Sequence, residues 1–331
     1  MSYDRTTDAP TDPTKASHVA VAADDEGQRL DNWLLRALKG VPRSRVYRLL
    51  RKGEVRVNGR RAKPERRLAT GDDVRLPPVW AAEEGAPRRV PSSLIDAIEA
   101  AVVHADPELL VIAKPAGLAV HGGSGLSFGV IEALRSSRPD ETLELVHRLD
   151  RDTSGLLLVA RSRSALRTLH GLLREGLVEK RYLALVKGSW NLGKKTIDAP
   201  LATRARQGGE RVVKVAAGGK ESSSTFAPVD FFGARATLLE VDLGTGRTHQ
   251  IRVHAAHAGH PVAGDDKYGD REFNTAMQAL GLRRLFLHAQ SLSFEWPVSR
   301  KTFAVSQPLP AELAAVLEAL SATRRRRPRA R

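Results

Sequence analysis

His147-Arg148-Leu149-Asp150-Arg151-Asp152-Thr153-Ser154-Gly155 runs directly into Leu156-Leu157-Leu158-Val159-Ala160. The apolar run, bounded by a glycine and by Arg161, reads as a buried strand. A polar loop crowded with ionisable groups beside such a strand is where active sites tend to form. Asp150 and Asp152 lie two apart and are flanked by Arg148 and Arg151. Nearby positive charge favours the ionised carboxylate, and an ionised aspartate in a water-poor site can act as nucleophile or base. The same residues would equally suit a structural loop in which aspartate caps a turn and arginine pairs with it. The local sequence leaves both roles open.

Working outward, the region from 96 to 318 mixes short apolar runs with helical stretches. The runs at 109–113, 156–160, 182–186, 238–243 and 285–287 are mostly bounded by Gly, Pro or charge. A helix is expected around 165–173. This pattern predicts an α+β domain on a mainly antiparallel mixed sheet. Ahead of it, residues 19–80 form a smaller α/β block. Leu30, Trp33, Leu34, Ala37 and Leu38 repeat at helical spacing. After Gly40-Val41-Pro42, Ser44 is expected to cap a second helix that turns Val46, Leu49 and Leu50 inward and ends at Gly53. Val55-Arg56-Val57, the turn Asn58-Gly59 and Val74-Arg75-Leu76 predict short strands and a hairpin. Residues 1–18 read as a disordered tail, 81–95 as a linker and 319–331 as a basic disordered tail.

Charge indicates the partner. The 331 residues hold 53 Lys+Arg against 38 Asp+Glu, a net +15. Residues 19–80 contain 15 basic and 8 acidic side chains, or +7, with Arg43, Arg45 and Arg48 on the second helix. Such a surplus suits a polyphosphate, although a solvated basic surface has the same composition. The chain has no cysteine, which removes disulfides, thiolate zinc sites and a cysteine nucleophile. It has neither a secretory pattern at its start nor an apolar run long enough to span a bilayer, so a soluble cytoplasmic protein is expected.

Two other chemistries can be tested. The kinase catalytic loop H-R-D-L-x-x-x-N fails, because Leu149 precedes the aspartate and no D-F-G follows. There is no Walker loop either, so no nucleotide cofactor is expected. The histidines at 249, 254, 257 and 260 include pairs three apart, a spacing that a helix could present to a metal. With no H-E-x-x-H and no carboxylate in that spacing, structural or substrate-facing histidines and no metal are expected.

Several segments together carry a resemblance. The 147–155 stretch is joined by Lys114-Pro115-Ala116-Gly117, His121-Gly122-Gly123, Glu179-Lys180-Arg181-Tyr182-Leu183-Ala184-Leu185-Val186, Gly246-Arg247-Thr248-His249-Gln250-Ile251-Arg252-Val253-His254, Gly259-His260-Pro261 and Asp266-Lys267-Tyr268-Gly269. In this order they resemble the RluA/RluC/RluD-type pseudouridine synthases over roughly 95–310. Details such as Ser164-Ala165-Leu166-Arg167-Thr168-Leu169-His170 are most similar to the RluC type, which acts on large-subunit 23S ribosomal RNA. The 19–80 block resembles the S-four-like RNA-binding domain. The resemblance implies an RNA-modifying isomerase that needs no cofactor. It implies Asp150 as the nucleophile, Tyr182 stacking on the uracil and Arg252 pairing with Asp150, with Arg247 as the alternative for that pairing. Arg148 would fill the place of a flipped-out base, and His147, Arg247, Arg43, Arg45 and Arg48 would contact RNA. Ribosomal RNA is the expected partner and a monomer the expected state. Transfer RNA as substrate, or a non-catalytic ribosome-assembly factor, are the alternatives.

Overall fold

A computed structural model describes residues 16–38, 41, 43–78, 89–122, 128–205 and 211–325. The chain divides into two compact units, Met1–Arg89 and Val90–Arg331.

The first unit contains β1 (Ser17–Ala20), α1 (Leu30–Ala37), α2 (Arg43–Lys52), β2 (Arg56–Val57), β3 (Arg60–Arg61) and β4 (Asp73–Leu76). Its four-stranded sheet has the order β1-β4-β2-β3, all antiparallel. Leu30, Trp33 and Leu34 from α1 pack with Val46, Leu49 and Leu50 from α2 in a single core. Asn58 and Gly59 both take positive φ, 51° and 73°, as a two-residue hairpin turn that follows the twist of its strands requires. Three boundaries differ from expectation. Ser17 and His18 belong to β1, where they pair with Leu76 and Arg75, and not to a tail. The second helix starts at Arg43, so Ser44 lies inside it rather than capping it. α3 begins at Ser92, inside the stretch expected as a linker over 81–95, of which residues 81–88 lie outside the described residues.

The second unit continues with α3 (Ser92–Ala100), β5 (Val102–Ala105), β6 (Leu109–Lys114), α4 (Val130–Ser137), β7 (Glu144–Leu145), β8 (Ser154–Ala160), α5 (Arg163–Glu175), β9 (Glu179–Lys187) and β10 (Lys195–Asp198). There follow β11 (Leu201–Ala205), β12 (Arg211–Val215), β13 (Ser223–Phe231), β14 (Ala236–Leu243), α6 (Gln250–His257), α7 (Arg271–Gln278), β15 (Leu287–Glu295), β16 (Thr302–Ser306) and α8 (Ala311–Arg325). A ten-stranded sheet runs β10-β13-β14-β9-β15-β8-β6-β5, with β16 beside β15 and β7 beside β8. Its pairings are antiparallel except between β15 and β8, so the expected mainly antiparallel mixed sheet is what forms. β8 is buried at every position, which explains its unbroken apolar run. α8 extends to Arg325, into the stretch expected as a basic tail, and seals Leu313, Val316 and Leu320 against the core. Residues 326–331 lie outside the described residues.

Candidate active site

The loop before β8 is anchored at both ends. Glu144 and Leu145 pair with Ala160 and Val159, and the Val146 N–H donates to the Leu158 carbonyl at 3.1 Å. The next residue, His147, accepts the Leu158 N–H at its Nε2, 3.1 Å away. Burial pulls its pKa down to about 4, with Lys180 adding to the shift, so the ring is neutral and serves as a backbone acceptor. At the other end, Gly155 has φ 111°, and a Cβ there would stand 2.2 Å from the Ala289 carbonyl oxygen. Only glycine lets β8 approach β15 this closely.

Lys114 holds the loop from beneath. Its buried ammonium donates to the carbonyls of Pro115, Leu118 and Arg151 at 2.8, 2.9 and 3.0 Å. Burial pushes its pKa down to about 7 against the pull of Asp152 and Asp150, but three carbonyl acceptors match the three N–H groups of the charged form.

Between these anchors, Asp150 faces a cavity of about 550 Å³. Tyr182 on β9, which is 6 % exposed, lines the same cavity, as do Arg148, His147, Arg247, Lys180 and Arg252. Burial and the Asp150 carboxylate push the Tyr182 hydroxyl up, keeping it protonated. Arg252 Nη1 lies 3.5 Å from Asp150 Oδ2. Arg247 instead donates to the Glu221 carbonyl, so Arg252 is the arginine paired with Asp150. Asp152 turns to its exposed neighbour Arg151 at 3.1 Å.

A residue that no sequence motif singles out for this role completes the pairing. Asp265 accepts two hydrogen bonds from Arg252, Nε at 2.7 Å and Nη2 at 2.8 Å, in a buried fork. Burial alone would raise the Asp265 pKa, but the Arg252 guanidinium and the N–H groups of Tyr268 and Lys267 outweigh it and hold the carboxyl below its usual range. Its place next to Gly264 gives no sequence signal for contact with an arginine 13 residues away.

The other histidines are mostly structural. His254 is fully buried between the Ala199 carbonyl and the Ser224 hydroxyl, and His260 Nδ1 meets the Lys187 carbonyl. Among the described residues, no group of three or more His, Asp or Glu side chains is placed to hold a metal ion. No helix among them is long and apolar enough to cross a membrane. His249 differs from these histidines: like Asp150 and Arg252, it lines both the 550 Å³ cavity and a second one of about 780 Å³ that also contains Arg151, Lys267 and Arg283.

In the first unit, Arg48 and Arg51 are exposed on α2 opposite its apolar face, and Arg45 is half-buried. The Arg43 side chain lies outside the described residues.

Residues 108–257 match the family described as RNA pseudouridylate synthase, and residues 28–74 match the S4 domain. Ribosomal large subunit pseudouridine synthase C of Pasteurella multocida (strain Pm70) is 54% identical over 304 residues, 91% of this chain and 93% of that protein. The chain belongs to the RNA pseudouridylate synthase family. This pseudouridine synthase is accordingly an isomerase. It is also 51% identical to the Escherichia coli (strain K12) ribosomal large subunit pseudouridine synthase C, over 94% of this chain and 98% of that one. Among solved structures, Human RNA Pseudouridylate Synthase Domain Containing 4 superposes with a TM-score of 0.56 at 25% identity, covering 69% of this synthase and 96% of that chain.

Proposed function

We propose that this protein converts specific uridines of large-subunit (23S) ribosomal RNA to pseudouridine, with Asp150 as its nucleophile. The reading rests chiefly on one observation: Asp150 and Tyr182 line a single cavity in which Arg252 pairs with Asp150 and is itself held by Asp265. The relatives named for the large ribosomal subunit, which match nearly the whole chain, support the choice of RNA. The reaction exchanges a C–N for a C–C glycosidic bond within one nucleotide, so atoms and charge balance without an added reagent.

In this reading the target uridine leaves its stack at a cost of about a few kcal/mol and enters the cavity. Tyr182 stacks on the uracil and assists the proton transfer that completes the new bond. Arg252 orients Asp150. Arg148, exposed at the rim, takes the space the base vacates. Arg247, Arg43, Arg45 and Arg48 contact RNA phosphates, whereas His147, committed to the Leu158 N–H, contributes by fixing the loop. The protein acts as a cytoplasmic monomer on ribosomal RNA during large-subunit assembly.

Mapping pseudouridine in ribosomal RNA from cells lacking this protein tests the reading. Loss of modification at particular large-subunit uridines, restored by the wild-type gene and not by an Asp150→Ala variant, is expected. An unchanged ribosomal map would overturn the choice of RNA and direct the search to transfer RNA.

A further inference from the structure

His249 occupies an unusual backbone position. It caps α6 with φ 54° and ψ 19°, a left-handed conformation uncommon for residues other than glycine, although histidine adopts it more readily than most. A chain of hydrogen bonds fixes its ring. The Val213 N–H of β12 donates to Tyr268 Oη at 3.0 Å, and Tyr268 Oη lies 2.8 Å from His249 Nδ1. A backbone N–H can only donate, so the tyrosine oxygen accepts there. Among the described residues, the only acceptor for its hydroxyl hydrogen is then His249 Nδ1. With the tyrosine hydrogen given to Nδ1, every group in the chain is satisfied, and on that basis we assign the neutral ring's own hydrogen to Nε2.

Burial lowers the His249 pKa, with Arg252 and Lys267 adding to the shift and Asp150 and Asp265 opposing it, so the ring is neutral near pH 7. Nε2 has no hydrogen-bond partner among the described residues, while His249 lines both cavities together with Asp150 and Arg252. An N–H donor of fixed tautomer therefore stands on the wall that carries the proposed nucleophile.

We propose that His249 donates its Nε2–H to a carbonyl oxygen of the target uracil and stabilises the negative charge that the base acquires when its glycosidic bond breaks. The inference rests on the pseudouridine synthase reading. When C1′–N1 breaks, the bonding electron pair stays with the base and spreads over N1, O2 and O4. A donor at one of these oxygens stabilises that charge with no proton transferred and no further reagent, whichever atom Asp150 attacks. Because Nε2–H is already held in place, no reorganisation is needed as the charge develops.

The test measures pseudouridine formation by the full-length protein on transcribed 23S ribosomal RNA, with kcat and KM determined separately and folding checked by thermal unfolding. His249→Ala should lower kcat by about 10²-fold, the effect of removing one preorganised donor, while KM stays within about threefold. His249→Gln, which returns an amide N–H near the Nε2 position, should recover about tenfold of that loss. Tyr268→Phe keeps the ring and removes only the hydroxyl that sets the tautomer, so it should lower kcat about two- to fivefold by halving the correctly protonated population or worse. If His249→Ala does not fold, the decision passes to the other two variants. Wild-type kcat in His249→Ala or Tyr268→Phe, a loss confined to KM, or a His249→Gln no faster than His249→Ala would each overturn the role. A wild-type protein that converts no uridine would instead overturn the underlying reading.

Discussion

Single side chains divide the loop's work between chemistry and support. Asp150 and Asp152 are two residues apart, yet one meets Arg252 inside the cavity and the other meets an exposed arginine. Asp150→Asn should abolish pseudouridine formation while RNA affinity changes little, and Asp152→Asn should keep activity within about threefold, as an exposed ion pair contributes about 0–1 kcal/mol. Equal losses in both variants would mean that the geometry selects the wrong carboxylate. Asp265→Ala leaves a buried guanidinium without its main partner, so unfolding free energy should fall by about 3–5 kcal/mol in denaturant titration. His147 adds a pH dependence. Its folded pKa of about 4 lies below the ordinary 6.5, so between these values the unfolded chain binds more protons than the folded one. Its stabilising contribution is complete above about pH 6.5 and is lost as pH falls toward 4. His147→Gln, which offers a carbonyl oxygen to the Leu158 N–H, should flatten the thermal midpoint against pH over this window; an unchanged slope would show that His147 does not drive it.

At the scale of elements, β8 and its preceding loop were legible in sequence because both faces of the strand are buried and its run is uninterrupted. β15 was not, beyond its first residues. Its burial follows no single period, with Leu287, His288 and Ala289 buried and Gln290 and Ser291 half-exposed, and its place between β9 and β8 depends on contacts such as Ser154 to His288, 134 residues apart. α6 carries no apolar pattern for a related reason. Gln250, Arg252 and His254 are polar but buried, each satisfied by partners distant in sequence, so no simple apolar stripe marks the helix. The pairing of Arg252 with Asp150 came from family likeness, whereas Asp265 and the tautomer of His249 required three-dimensional contacts. The pairing of β8 with β15 yields its own prediction. Gly155→Ala should cost at least about 1–3 kcal/mol from backbone strain alone and should slow pseudouridine formation by displacing the loop. A variant with wild-type melting temperature and rate would contradict the close packing of these strands.

At the scale of the molecule, the net charge of +15 places RNA affinity under the control of salt. Arg48 and Arg51, exposed on α2, are suited to binding phosphates rather than to holding the fold. Arg48→Glu combined with Arg51→Glu should leave thermal stability nearly unchanged and weaken binding to large-subunit RNA. The slope of log affinity against log salt should become shallower by about 0.7–0.9 for each phosphate that is no longer neutralised. Binding and slope identical to wild type would remove α2 from the RNA-binding surface.

The double duty of Arg252 constrains how this protein can change over generations. Loss of Asp265 strands a buried cation, and loss of Arg252 leaves two carboxylates without the guanidinium between them. Neither side chain can drift alone without passing through an unstable or inactive ancestor. Asp150, Arg252 and Asp265 should therefore be inherited together, and a descendant lineage that abandons catalysis should first lose the acid, Asp150, whose removal leaves the buried fork intact.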